Sequence, residues 1–310
     1  MKNYFLFRAL KGFFVVVLIS IATFAIMRFM PGDPVLLMLG DGQVQITQEQ
    51  IDAIHAKWGL DRPYHEQYFV WAANLFRGDF GESIIRTGVP VREMIFEALP
   101  VTALLNVYAI TAALIISIPF GVWAALKRNS FIDYAASVGS ALGIATPNFW
   151  LALILILIFS VQLRLTPVFG LRSWQGYILP VVVMATEQMA VITRVMRSAV
   201  LEVLPQDYVR TARGKGLARG RVNWRHVFSN ALLPVITVVG FRIAFLLSGT
   251  IVVETVFALP GIGRLFTDSV IRLDYQVVQS LVVIFALLVV VVNLLTDMLY
   301  AVVDPRIRIS

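Results

Sequence analysis

Six apolar stretches, each long enough to cross a bilayer, constrain this chain more than anything else in it. They cover residues 10–29, 99–126, 135–163, 177–195, 232–256 and 278–303. A hydrocarbon core takes about 20 apolar residues per helix. Lipid offers no partner to an open N–H or C=O, so such stretches cross it as helices. Their apolar residues run in blocks, not in the face-by-face rhythm of a soluble amphipathic helix. Composition agrees, with 58% of the 310 residues hydrophobic and 15% charged. The expected class is an all-α polytopic membrane protein with six transmembrane helices. The fourth stretch is the least apolar, since it carries Glu187 and reaches Arg194.

The first stretch follows Lys2, Arg8 and Lys11, as a secretory signal would. Its apolar body is long for a signal core, however, and Arg28-Phe29-Met30-Pro31 lacks the small residues of a cleavage site. A retained helix is expected. Lys and Arg concentrate in alternate connections, which places those connections inside. One set holds Lys2, Arg8 and Lys11; Lys127 and Arg128; Arg197, Arg210, Arg213, Lys215, Arg219, Arg221 and Arg225; and Arg306 and Arg308. In the other set, Arg264 and Arg272 are balanced by Asp268 and Asp274, and residues 30–98 hold ten acidic residues against five basic. Both termini are therefore expected in the cytoplasm. Cysteine is absent, which excludes disulfides, thiolate catalysis and Cys-ligated metal.

Three regions follow: 1–29 with the first helix, 30–98 outside the membrane, and 99–310 with the other five helices and a cytoplasmic loop at about 199–231. Residues 30–98 are too many for a turn. Thr47 with Gln50 makes a capping-box pattern before Ile51, Ile54, His55 and Trp58, and Gly59 is placed to end that helix. A second helix is expected between Pro63 and Gly78, with Tyr64, Tyr68, Trp71 and Leu75 along one face. Both would lie in the interface or pack on the outer ends of the bundle. The lone His55 and His65 fit packed or solvated side chains better than metal ligands.

The most basic stretch, residues 208–234, lies between the fourth and fifth apolar stretches. Pro205 breaks what precedes it. Tyr208, Thr211 and Ala212 fall at helical spacing, Gly214 and Gly216 permit a tight bend, and a second helix can run from Arg221 to Asn230 with Val222, Val227, Leu232 and Leu233 inward. An anchor to anionic lipid would need only the charge. Nucleic-acid binding fits poorly, because the loop is tied to a membrane and has few aromatics for stacking. The Gly-punctuated bend favours docking on a cytoplasmic protein.

This loop resembles the inner-membrane permeases of binding-protein-dependent ABC importers, whose cytoplasmic loop reads E-A-A-x-x-x-G and ends in I-x-L-P. Here it reads Arg210-Thr211-Ala212, then Gly216, then Ala231-Leu232-Leu233-Pro234, the variant of the peptide and nickel branch. PGDPV at 31–35, GLDRPYHEQYFVW at 59–71 with GDFGES at 78–83, and VVETVFALPGIGRL at 252–265 resemble the same branch. The resemblance implies the type I importer permease fold with a small helical periplasmic subdomain, in the bacterial inner membrane. It implies that Tyr208, Arg210, Thr211, Ala212, Gly214, Lys215, Gly216 and Leu217 couple to ATP-binding subunits. Gly216→Asp is then expected to abolish uptake while leaving the protein inserted. The chain has no G-x-x-x-x-G-K-[ST] phosphate loop, so ATP and Mg are expected on two partner ATPase subunits or domains, and no catalytic residue, cofactor or metal on this chain. The other implied partners are a second, homologous permease subunit forming a heterodimer, a periplasmic substrate-binding protein and the bilayer. Pro260, Gly261 and Gly263, with Trp58 and Tyr68, are the candidate docking residues for the binding protein. Peptides are the default substrate.

Ionisable residues within spans face a cavity or a partner. Glu187, Arg242 and Glu254 are the candidate pathway residues, Glu187 and Arg242 nearest the middle; an ion pair or snorkelled side chains holding helices together is the stronger reading of the set. Arg194 and Asp297 sit near span ends. Gly139 and Gly143 form G-x-x-x-G, and Pro119 and Pro147 are expected to kink their helices. A self-sufficient ion-coupled transporter would show an internal repeat with paired broken helices, and none is visible. An intramembrane enzyme would need convergent Ser, His, Asp or Glu within the spans, and the histidines all lie elsewhere.

Overall fold

A computed structural model describes residues 2–30, 48–171 and 173–303. The motif at 31–35, the Thr47 cap, Arg306 and Arg308 lie outside the described residues, as do the side chains of 243–249 and Asp297. The described chain is helical, with one isolated antiparallel bridge between Glu82 and Pro90. In order come α1 (Lys2–Phe29), α2 (Gln48–Trp58), α3 (Tyr64–Phe76), α4 (Val91–Leu126), α5 (Phe131–Ala145) and α6 (Asn148–Leu155), which continues as a π-helical stretch, Ile156–Gln162. A 3₁₀ turn (Trp174–Tyr177) leads into α7 (Ile178–Val203), followed by α8 (Asp207–Gly214) and α9 (Arg219–Val222). A second π-helical stretch (Asn223–Phe228) runs on into α10 (Ser229–Val256), and α11 (Ile262–Ile271) and α12 (Tyr275–Val303) complete the chain.

Among the described residues, four helices are long and apolar enough to span: Phe7–Phe29, Val91–Leu126, Trp174–Val203 and Tyr275–Leu295. Counted as one span, α5 and α6 make a fifth, but they meet at 102°. The kink expected at Pro147 is thus a full change of direction. Pro147 disfavours the α region for the residue before it, and Thr146 is extended at ψ 118°. Its hydroxyl and N–H both close on the carbonyl of Leu142. Pro119, by contrast, lies inside an uninterrupted α4. Large apolar side chains such as Phe13, Phe14, Leu18 and Ile115 stay exposed, as expected of faces meant for lipid.

The sequence divides at 29/30 and 98/99, but contacts group the chain into residues 1–102 with 260–291, and 103–259 with 292–310. In the first unit, Phe24 of α1, Tyr68 and Trp71 of α3, and Val283 and Ala286 of α12 share one core. Tyr68 and Ser20 hydroxyls hydrogen-bond at 2.9 Å. The two outer helices end as expected, at Gly59 (φ 64°) and Gly78 (φ 79°). The stretch 79–90 is anchored by Asp274, whose carboxylate accepts from the Ser83 hydroxyl and, at 3.2 Å, from the Ile84 amide. Burial pushes the Asp274 carboxyl above its ordinary value, against the hydrogen bond from Ser83 that favours the charged form.

The second unit is organised on α7. Ile192, Met196 and Val200 are buried with Val209 of α8, Val222 of α9, and Val227 and Ala231 beyond it. Glycine lets neighbouring helices approach α7. A Cβ on Gly121 would meet the Thr193 carbonyl and Met196 Cβ at 2.9 Å, and one on Gly143 would meet Ala190 Cβ at 2.8 Å. A Cβ on Gly139 would meet nothing within 4 Å, so only half of the G-x-x-x-G pair serves packing in this chain. Gly143→Val is therefore expected to lower stability by about 1–3 kcal/mol, and Gly139→Val by far less in the isolated chain. Thermal melting of both purified variants in detergent checks this; equal losses would remove the packing argument.

Asp133, on the first turn of α5, is 4% exposed. Both its carboxylate oxygens accept from Arg197 of α7, and Oδ2 also accepts from the Asn129 amide at 2.9 Å. Asn129 has a left-handed backbone (φ 64°), so the same carboxylate holds the turn before α5 and ties it to α7. Arg197→Ala takes the counter-charge from that carboxylate; with the Arg197 side chain 26% exposed, screening reduces the expected cost to about 1–2 kcal/mol. Asp133→Asn with Arg197→Ala should recover most of the melting temperature; a double variant no better than the single would argue against the pair.

Candidate functional site

The basic loop folds as helix, turn, helix, and its two sides differ in chemistry. On α8, Val209 is fully buried and Ala212 is 6% exposed, while Tyr208, Arg210, Thr211, Arg213 and Gly214 stay exposed. Val209 with Ala212 forms the inward face, and Tyr208 and Thr211 lie outside it. The helix ends at Lys215, and Gly216 takes φ 76°. A Cβ on either Gly214 or Gly216 would meet nothing within 4 Å, so the outer surface of the turn is open. Leu217 is half-buried against the α7 core. The second helix begins at Arg219, two residues before its expected start, and enters α10 without a break. Trp224 is exposed and stacks on Phe228, ring centroids 4.5 Å apart.

The loop is thus bolted to the body by valines and alanine and presents Arg210, Arg213, Lys215, Arg219 and Arg221 outward. Arg210 reaches Asp207 only at 4.0 Å, with both side chains more than 80% exposed, so the pair neutralises little of the surface. A displaced α8 would carry α7, α9 and the start of α10 with it, because they share one core.

Of the candidate pathway residues, Glu187 and Arg242 meet directly. Arg242 Nη1 donates to Glu187 Oε1 at 2.6 Å, joining α10 to α7. Asn148, the first residue of α6, donates from Nδ2 to Glu187 Oε2 at 3.1 Å. Three helices therefore converge on one carboxylate, just after the bend at Pro147. Asn148 was not singled out from sequence; its place directly after Pro147 was the available signal. Glu254 is fully buried in α10, on a different stretch of that helix from Arg242.

The candidate docking residues are also dispersed. Gly261 caps α11 at its N-terminus, and the Ile262 amide donates to the Thr102 hydroxyl at 2.8 Å. Gly261 and Gly263 are buried and Pro260 is exposed. Pro260 and Gly261 line a cleft of about 350 Å³ with Arg86, Glu97, Arg264 and Arg272 on its walls. Trp58 and Tyr68 are half-buried in the core of the same unit, so their rings serve packing first. No group of three or more His, Asp or Glu suited to a metal occurs among the described residues.

Comparison with known proteins gives concordant matches. The family described as binding-protein-dependent transport system inner membrane component matches residues 117–309, and its N-terminal companion family matches 1–115. The chain is 45% identical to the oligopeptide transport system permease protein AppB of Bacillus subtilis (strain 168), over 99% of this chain and all of the relative. It is 41% identical to the di/tripeptide transport system permease protein DppB of Pseudomonas aeruginosa (strain UCBPP-PA14) and 40% identical to the dipeptide permease DppB of Escherichia coli (strain K12), over 94% of each chain. Among solved structures it resembles the MetNI methionine ABC transporter in inward-facing conformations, with TM-score 0.58 and 17% identity over 69% of this chain and 97% of that one. A crystal structure of an amino acid ABC transporter with histidines is similar at TM-score 0.51. At this identity the two structures speak for the fold alone.

Proposed function

Because the chain belongs to the family of inner-membrane components of binding-protein-dependent transport systems, as the matches over residues 1–115 and 117–309 establish, we propose that it forms half of the translocation pathway of an ATP-driven importer for di- and oligopeptides. Peptides are named because the relatives matched from end to end are peptide permeases. The remaining partners are a second permease, two ATPase subunits and an extracytoplasmic binding protein. Six spans with both termini inside complete the reading: α10, of 28 residues, joins the four long helices and the bent pair, and the Lys and Arg distribution orients them.

One observation carries the mechanism: a cationic, outward-facing α8 whose inner face is part of the α7 core. Closure of ATPases on ATP would push on α8. A packed core does not deform smoothly, so the push moves α7 and α10 together and shifts the bundle between two arrangements. The Glu187–Arg242 contact lies on those two helices. It braces them and needs no contact with the cargo.

The test is ATP hydrolysis by the assembled complex in nanodiscs, with and without peptide-loaded binding protein. Loaded binding protein is expected to raise hydrolysis several-fold, and the triple charge reversal Arg210→Glu, Arg213→Glu, Lys215→Glu to remove the stimulation. Hydrolysis indifferent to the binding protein, or peptide uptake by this chain alone on an ion gradient, would replace the proposal with a self-sufficient secondary transporter.

A further inference from the structure

The first unit holds a second cavity, of about 160 Å³, lined among others by Arg28, Gln67, Trp71, Asp79, Gln276 and Gln279. Five of these side chains carry buried polar atoms that make no hydrogen bond. Nε and Nη1 of Arg28, Nε1 of Trp71 and Nε2 of Gln279 are donors; Oε1 of Gln67 and of Gln276 are acceptors. They are six of the nine such atoms among the described residues, so the shortfall is local to this cavity and not spread through the fold. Folded proteins leave few buried polar atoms unpaired, because each one forfeits its hydration.

The surroundings hold these groups in place. Gln67 is 8% exposed and uses Nε2 on the carbonyls of Leu60 and Arg62, at 3.2 and 2.7 Å, which leaves its Oε1 as the open end. Trp71 is 7% exposed and Gln279 is 1% exposed. Arg28 lies over the rings of Phe24 and Tyr275, 5.0 and 4.8 Å from their centroids. Aromatic faces attract a cation but accept no strong hydrogen bond from its N–H groups. Among the described residues no carboxylate pairs with Arg28. These atoms are buried, and among the described residues the cavity beside them is the place from which partners can come.

The donor set suits a carboxylate. Arg28 supplies the counter-charge, its open Nε–H and Nη1–H pointing to different sides of the guanidinium so that each meets one oxygen at most, and Trp71 and Gln279 supply further donors. The acceptors suit an ammonium, since Gln67 and Gln276 offer carbonyl oxygens and Asp79 a carboxylate. The space holds on the order of five waters, enough for a small amino acid and too little for a peptide. We propose that this cavity is a binding site for a free α-amino acid with a small side chain, its carboxylate on Arg28, Trp71 and Gln279 and its ammonium on Gln67 and Gln276. The occupant bridges the last turn of α1, the outer helix α3 and the first turn of α12, which places it to regulate the outer unit. The site goes beyond the importer reading and does not depend on it.

The test uses the assembled complex in nanodiscs without binding protein, titrated with glycine, acetate, methylammonium and chloride by calorimetry. Glycine is expected to bind this chain at one site, with acetate and methylammonium about tenfold or more weaker. Arg28→Met should abolish that site. Gln279→Leu should weaken glycine about tenfold without lowering the melting temperature of the unliganded complex. No glycine binding, equal binding of glycine and acetate, or binding that survives both variants would overturn the proposal. So would a density map showing only waters, or a side chain of this chain, in the cavity. Transport is not read in this experiment, so its failure leaves the importer assignment standing.

Discussion

Gly216→Val is expected to leave the protein inserted at normal levels and to cut ATP-driven uptake by about tenfold or more. The turn after α8 places Gly216 at φ 76°. A Cβ there would meet nothing within 4 Å, so the obstacle is conformational and not steric. The left-handed region costs an ordinary L residue about 1–2 kcal/mol, and a β-branched residue is a true outlier there. The turn would relax toward negative φ and swing the exposed arginines of α8 away from their present direction. Gly216→Asn is the control, because Asn tolerates this region, and it should keep most of the uptake. Gly216→Asp shares that tolerance but sets a carboxylate in a cationic surface, so loss with Asp and not with Asn isolates charge. Uptake of labelled dipeptide by whole cells, normalised to membrane protein, reads all three. If Val and Asn behave alike, the conformational argument is wrong.

Opening the Glu187–Arg242 contact is the second large effect. Breaking a buried ion pair from one side costs about 3–5 kcal/mol. Side-chain exposure here is 23% for Arg242 and 36% for Glu187, and screening at that exposure reduces the expectation to about 1–2 kcal/mol. Arg242→Ala should be the worse of the two singles, because Glu187 would keep only the Asn148 amide. Glu187→Arg combined with Arg242→Glu should regain most of the stability lost by either single, as read by melting of the detergent-solubilised protein. Peptide uptake by the swapped variant separates two roles. A brace requires only that the charges oppose each other, so uptake returns with unchanged preference. A group that meets the cargo would reverse its preference between acidic and basic dipeptides. Singles that melt like the parent would remove the brace altogether.

Much of the architecture was open to a reading of residues alone. Long apolar blocks report spans because a bilayer tolerates few other structures, and the blocks at 10–29, 99–126, 177–195 and 278–303 lie within long helices. Gly59 and Gly78 end their helices as punctuation predicts. Pro147 was legible as a disturbance but not as a 102° turn, since the angle depends on what the two halves pack against. The helical spacing of Tyr208, Thr211 and Ala212 marks a helix but not its buried side, and Val209 with Ala212 takes that side. Arg28 stood in the last turn of an apolar helix, where the rule applied to Glu187 and Arg242 would have marked it as well.

Class and the cationic surface of the loop were legible in the residues alone because they rest on solvent: apolar blocks go to lipid, and a run of Arg and Lys as dense as 208–225 stays in water; the family was legible in its motifs. Side-chain partners became visible with the folded chain. That Asp133 meets Arg197, that Asn148 and Arg242 share Glu187, and that Gly143 packs where Gly139 does not, depend on distances between residues far apart in the chain. The same holds for the cavity beside Arg28. Its donors and acceptors come from α1, α3 and α12, and no local pattern in any of these helices records that they are left without partners.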